Sequence, residues 1–211
     1  VGMTVIVWFR RDLRLADNPA LAAAVATGQA VVPVFVRDDA DAGEDGPGSA
    51  SRWWLHGALS ALDEDLRRRA GAGLVLRTGN AGAVIAALAA ETGAAAVFWN
   101  RLYEPWAVAR DSRLKAALRE RGVAATSFNG ALLSEPTRFL NKAGEPYRVF
   151  TPFWRALRAS LELPDFQPAP AHIQIPGGVA SERLESWSLR PTRPDWAAGL
   201  RDAWTPGEAG A

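Results

Sequence analysis

Val5-Ile6-Val7-Trp8-Phe9-Arg10-Arg11-Asp12-Leu13-Arg14-Leu15-Ala16-Asp17-Asn18-Pro19 opens the chain with an unbroken apolar run, a charged loop and a helix start. Apolar continuity without alternation is what a strand shows when helices cover both faces of its sheet. Asn18 supplies a cap, and Pro19, whose fixed φ and missing N–H suit a first helical turn, begins an alanine-rich helix that Gly28 closes. A buried strand leading into a capped helix is half of a βαβ unit, and such units wind around a parallel sheet.

The same alternation continues to about Phe128. Further strands are read at Val31 to Val36, Leu74 to Arg77, Ala96 to Trp99 and Ala124 to Phe128. Ser49 or Ser51 starts a longer helix with Leu55, Leu59, Leu62 and Leu66 on one face, stopping near Gly71. Asn80 precedes a third helix, with Val84, Ile85 and Leu88, that ends near Gly93. Glu104-Pro105 opens a fourth, with Val108, Leu114 and Leu118 expected to face inward and Gly122 after it. The expected fold is α/β: a five-stranded, doubly wound, Rossmann-like parallel sheet within residues 1–130.

Beyond Asn129 prolines crowd a region with one convincing short helix, Pro152 to Leu161. Residues 131–211 therefore read as a long interdomain linker leading towards a further, helical domain. Phe166, Trp187, Trp196 and Trp204 are large apolar groups that a disordered tail normally lacks, so they are expected to seek a surface. Trp204 to Ala211 reads as the start of a helix, which points to a C-terminal half.

Composition narrows the chemistry. Cysteine is absent, which excludes disulfides, a thiolate nucleophile and cysteine-ligated metal, and His56 and His172 alone disfavour a histidine metal site. A net charge of +1 gives no global pull towards phosphate backbones, so any nucleic-acid surface is local or lies elsewhere. No run approaches the ~20 apolar residues of a membrane span, and Val1-Gly2-Met3 begins no signal pattern; a cytoplasmic location is the expectation.

Arg10, Arg11, Asp12 and Arg14 follow the first strand, at the sheet edge where open α/β folds place ligands. A phosphate site is one reading; the stronger one has arginines and Asp12 pairing with each other and with loop carbonyls to fix the turn. Gly79-Asn80-Ala81-Gly82 reads as a turn with an Asn cap, since it lacks a phosphate-loop pattern. Asp63, Glu64 and Asp65 with Arg67, Arg68 and Arg69 read as a solvated helix face with supporting ion pairs, and His56 as an ordinary surface or core residue.

The stretch from Val7 to Pro19 closely resembles the opening of DNA photolyases and cryptochromes. Trp99-Asn100-Arg101-Leu102-Tyr103-Glu104-Pro105 with Arg110-Asp111, then Tyr147-Arg148-Val149-Phe150-Thr151-Pro152-Phe153-Trp154, and Trp187 to Trp196 agree with it in order. The resemblance implies an N-terminal α/β domain holding, in many members, an antenna chromophore, followed by a helical domain that binds FAD and the DNA lesion. It implies a light-dependent enzyme, deoxyribodipyrimidine photo-lyase, that splits cyclobutane pyrimidine dimers and is inactive as this part alone, monomeric when whole, with damaged DNA met through the helical domain. A cryptochrome photoreceptor and a stand-alone nucleotide-like ligand-binding module are the alternatives.

On that resemblance the antenna candidates are Asp38, Arg52, Asn100, Tyr103, Glu104 and Trp106, within segments 35–38 and 100–106. A planar pterin or deazaflavin needs an aromatic slot plus a few directed polar groups; Arg52, Asn100 and Glu104 supply the latter, and Tyr103 or Trp106 could stack. Arg52 and Asp38 resemble deazaflavin contacts of some relatives. Two positions depart from the family pattern: Trp106-Ala107 stands where folate-binding members carry Asn-Glu, and Leu102 where a deazaflavin member carries Asp. Methenyltetrahydrofolate and deazaflavin both stay open. Ordinary packing competes with stacking for Trp53, Trp54, Trp99 and Trp106.

Overall fold

A computed structural model describes residues 3–39, 46–136, 139–141, 143–161 and 165–210. Five strands form one parallel sheet: β1 (Thr4–Phe9), β2 (Ala30–Arg37), β3 (Val75–Thr78), β4 (Ala94–Asn100) and β5 (Ala124–Phe128), in the order β3-β2-β1-β4-β5. The chain builds outward from β1 through β2 to β3, then crosses back to lay β4 on the other side of β1. This is the doubly wound arrangement expected, and the reversal at β1/β4 opens a crevice at the carboxyl ends of the strands.

Period-2 geometry divides β1 between two cores. Val5, Val7 and Phe9 face α1 (Pro19–Ala26) and α2 (Ser49–Ala70), meeting Leu21, Leu59, Leu62 and Leu66. Ile6 and Trp8 face α3 (Ala81–Thr92) and α4 (Pro105–Glu120), meeting Ile85, Leu88, Leu114 and Leu118. The expected punctuation holds at its chemistry for α1 and α3, whereas α2 starts at Ser49 behind Gly48 with no side-chain cap. The Asn18 side chain accepts from the Leu21 N–H and Asn80 from Ala83, and Gly71 and Gly93 end their helices in the left-handed region that only glycine adopts freely. Asp63 pairs with Arg67 and also accepts from the Leu74 N–H, joining the solvated face of α2 to the start of β3. One inward expectation fails: Val108 is 48% exposed, because α4 turns Arg110 and Asp111 inward instead.

The region after β5 departs from a bare linker. It carries α5 (Phe150–Ser160), 3-10 turns at Leu184–Trp187 and Glu208–Gly210, and α6 (Ala198–Ala203), and the stretch 167–189 lies against the α1/α2 side of the sheet. Ile173, Trp187 and Leu189 are buried in that core. Backbone bonds run from the Val31 N–H to the Gln174 carbonyl and from the Glu182 N–H to the Leu76 carbonyl. Trp187 is thus sequestered at 6% exposure, beside Phe35, whereas Phe166, Trp196 and Trp204 stay exposed. Trp204 follows the end of α6 and does not start a helix. The next turn folds onto α2, with Pro206 against Gly57, and the Glu208 carboxylate accepts from the Leu15 and Ala16 N–H groups. Pro164 and Ala211, which figured in the expected linker, lie outside the described residues.

Glu182 pins this tail: its carboxylate accepts from the Thr78 N–H and hydroxyl and from the Trp187 indole N–H, each at 2.7 Å. Burial opposes its ionisation, but the bonds from Trp187 and Thr78, with Arg37 nearby, outweigh that and hold the carboxyl below the usual glutamate range. A group with a depressed folded pKa stabilises the fold at neutral pH and loses that contribution as pH falls through the depressed value. Acid titration followed by the Trp187 indole N–H resonance is expected to show release with an apparent pKa below the usual ~4.3 of glutamate. Glu182→Gln should abolish the step; a midpoint at or above the ordinary value would contradict the assignment.

Candidate chromophore site

Asp111, on the buried side of α4, organises the carboxyl edge of the sheet. Its Oδ2 lies 2.9 Å from Arg10 Nη1 and accepts from Trp99 Nε1 at 3.0 Å, while its Oδ1 accepts from Arg110 Nη2 at 2.9 Å. Arg10, Arg110 and Asp111 are each 7% exposed. Burial lowers the pKa of Arg10 and Asp111 pulls the other way; a guanidinium stays charged under such pressure, so the carboxylate is its counter-ion. Arg10 also donates to the Asn100 carbonyl.

The loops after β1, β4 and β5 are locked above this ion cluster. Asp12 accepts from the Arg10 N–H at 2.8 Å and from Asn100 Nδ2 at 2.6 Å, and Asn100 Nδ2 also donates to Asn18 Oδ1 at 2.8 Å. Asn100 Oδ1 accepts from the Ala20 N–H. Arg14 donates to the Asp17 and Gly130 carbonyls. A side chain at Gly130 would bring a Cβ within 2.6 Å of Asn100 Cγ, so the β5 loop closes on Asn100 because residue 130 has none. The structural reading of the arginine loop is therefore what Arg10, Asp12 and Arg14 display.

Beside the cluster lies a cleft of about 230 Å³, bounded by residues that follow β1, β2 and β4 and by the first turns of α2 and α4. Trp8, Phe35, Leu102, Trp106 and Trp187 give apolar wall; Arg10, Arg11, Arg37, Arg52 and Arg110 outnumber Asp38 and Asp39 on it. Arg37 is paired with Asp39 at 2.8 Å and donates to the Trp187 carbonyl. Arg52 is anchored through Nε to the Pro47 carbonyl. Asp38 accepts from the Ala81 N–H at 2.6 Å, so one carboxylate oxygen serves the start of α3 while the residue lines the cleft.

Of the six expected ligands, the structure brings Asp38, Arg52 and Trp106 together on this wall. Asn100 is not on it, because its amide is engaged by Asp12, Asn18 and Ala20. Tyr103 turns away and its hydroxyl donates to Glu135 at 3.0 Å. Glu104 reaches only the rim, through its ion pair with Arg11. Sequence reasoning missed Trp8, which reads as plain strand core, Arg110, which enters only as part of the family-like motif, and Trp187 to Leu189, which arrive from the tail. His56 is half-buried near Arg190 and Glu185, and burial lowers its pKa; it does not line the cleft.

The order of loop, cleft and tail has counterparts. The sequence profile described as DNA photolyase matches residues 5–173. The chain belongs to the DNA photolyase family. It is 49% identical over 209 residues to the deoxyribodipyrimidine photo-lyase of Agrobacterium fabrum, covering 98% of this chain and 43% of that protein. To cryptochrome-1 of Arabidopsis thaliana it is 37% identical, over 98% of this chain and 30% of that protein. Among solved structures, a bacterial class III photolyase from Agrobacterium tumefaciens superposes with a TM-score of 0.90 at 48% identity, over the whole of this chain and 43% of the other. This photolyase-family chain thus spans less than half the length of these relatives. Among the described residues no helix is long and apolar enough to cross a membrane, and no group of three or more histidine, aspartate or glutamate side chains could hold a metal ion.

Asp111→Asn keeps the shape of the side chain and removes the charge between two buried guanidiniums. It is expected to cost about 3–5 kcal/mol in urea unfolding, the scale for breaking a buried ion pair on one side. A loss within the ~1 kcal/mol of an exposed pair would contradict the burial-driven role given to Asp111.

Proposed function

We propose that this chain is the N-terminal light-harvesting domain of a photolyase that repairs cyclobutane pyrimidine dimers, and that the arginine–tryptophan cleft holds its antenna chromophore. The observation that carries the reading is the wall itself: three indoles and Phe35 around a slot, ringed by guanidiniums. An aromatic slot with a few directed cationic groups is the lining that suits a planar ring with an anionic tail. A cleft of about 230 Å³ has room for a fused ring system, with the rest of the molecule at the mouth.

When bound, such a chromophore absorbs light and hands the excitation to a flavin. The residues here bind and orient it: Trp106 and Trp187 offer stacking faces, and Arg52 with Arg11 offers charge to an anionic tail. Trp106 makes the wall apolar where folate-binding members carry a polar clamp, and Leu102 does so where a deazaflavin member carries an aspartate, so the wall selects for a stacked ring and not between the two. FAD and damaged DNA belong, in this reading, to a helical domain outside these residues; a cytoplasmic, monomeric enzyme is part of the same proposal. The higher identity to a photolyase than to a plant cryptochrome favours repair over signalling.

Titration of the protein with flavin mononucleotide and, separately, with methenyltetrahydrofolate is expected to give saturable binding of at least one. Arg52→Ala should weaken it about tenfold, the scale of one hydrogen bond to a charged group. No binding of either would reject the cleft as the chromophore site. The intact gene product should remove cyclobutane dimers from DNA in light and not in darkness; a flavin-bound product inert in both would reject photolyase activity.

A further inference from the structure

Every tryptophan on the cleft wall carries an arginine on its ring. Arg10 and Arg110 place their guanidinium carbons 4.7 and 4.8 Å from the Trp8 ring centroid. Arg110 also lies 5.1 Å from Trp106, and Arg37 lies 5.5 Å from Trp187. Trp8, Trp106 and Trp187 are the tryptophans that line the cleft among the described residues. Off the cleft, Trp99 has Lys115 at 5.4 Å, whereas the aromatic contacts of Trp53, Trp54 and Trp204 are with other rings alone: Trp54 meets Trp53 and Trp204 edge-on.

An indole beside a light-excited fused ring is a hazard to the excitation. The indole is among the most easily oxidised side chains, and an electron passed from it to the excited ring, then returned in the dark, converts the absorbed energy to heat with no net chemistry. The transferred electron leaves a positive charge on the indole. A guanidinium held against the same ring repels that charge and stabilises the neutral, electron-rich ring, so the oxidised state becomes harder to reach. A second escape, loss of the indole proton, is closed at Trp8, whose Nε1 has no acceptor within reach among the described residues; at Trp187 the Glu182 carboxylate accepts from Nε1 and favours the oxidised ring, and Arg37 is the charge that offsets it. The caps are themselves held in place: Arg10 and Arg110 by Asp111, Arg37 by Asp39 and the Trp187 carbonyl.

We infer that Arg10, Arg37 and Arg110 protect an excited chromophore in the cleft from quenching by the tryptophans that grip it. This role rests on the proposed chromophore site and gives the arginines a function beyond recognising negative charge. They are positioning residues that act through the indoles, and the wall gains stacking surface without becoming an electron donor.

The test is the fluorescence lifetime of flavin mononucleotide, and in parallel of methenyltetrahydrofolate, bound to the whole chain. Arg37→Met uncaps Trp187 alone, and the bound lifetime is expected to fall about twofold or more, the scale set by one cation–π contact. Adding Trp187→Phe to it should restore the lifetime, since the released donor is gone. Arg110→Met uncaps Trp106 while Arg10 still covers Trp8, and Arg110→Met with Trp106→Phe forms a second, independent pair should the first alter the tail. If both arginine variants bind the probe with the lifetime of the unaltered protein, the protective role is overturned and the site stands. If neither probe binds the unaltered protein, the site itself is rejected and the role with it.

Discussion

One carboxylate, Asp111, sits between two buried guanidiniums and an indole N–H at the carboxyl edge of the sheet. Removing two cations from water is tolerable only where a counter-ion and further acceptors meet them. Asp111 meets both, and the Asn100 carbonyl takes another Arg10 donor. The arrangement fixes which way α4 presents itself to β1. It sets Arg110 between Trp8 and Trp106, and with that the shape and charge of the cleft. Fold and site share this contact: the same atoms that join β1, β4 and α4 determine what the cleft wall offers.

The tail completes the cleft from the opposite side. Trp187 and Leu189 reach it because the 167–189 segment docks on the sheet through backbone bonds to β2 and β3 and through the Glu182 carboxylate. The cleft is therefore assembled from residues separated by most of the chain. Its wall depends on a segment that has little regular structure of its own. Phe166, Trp196 and Trp204 remain exposed on the same tail, apolar surface of the kind that marks an interaction face.

Much of the fold is legible in the sequence because local chemistry and global arrangement agree. Continuous apolar runs mark strands covered on both faces, and Asn18, Asn80, Gly71 and Gly93 mark helix ends by mechanisms confined to a few residues. The inward face of α4 is misread at Val108 because its neighbours Arg110 and Asp111 look like surface residues; only the distant Arg10 makes their burial tolerable. The candidate ligands divide on the same principle. Asp38, Arg52 and Trp106 follow from position at the sheet edge. Asn100 and Tyr103 have equally suitable chemistry, yet long-range partners, Asp12 and Asn18 for one and Glu135 for the other, engage them. Trp187 reads as an apolar group in search of a surface, but its place on the cleft is not local information, since Phe35 and Arg37, against which it packs, lie far back in the chain.

The central claim is that this domain gathers light on behalf of a DNA-repairing flavin. The action spectrum of dimer repair by the intact protein tests it most directly. The account predicts a repair band that coincides with absorption by a second bound chromophore and that fades when Arg52 and Trp106 are replaced together. A spectrum that follows the reduced flavin alone, unchanged by that replacement, would contradict it.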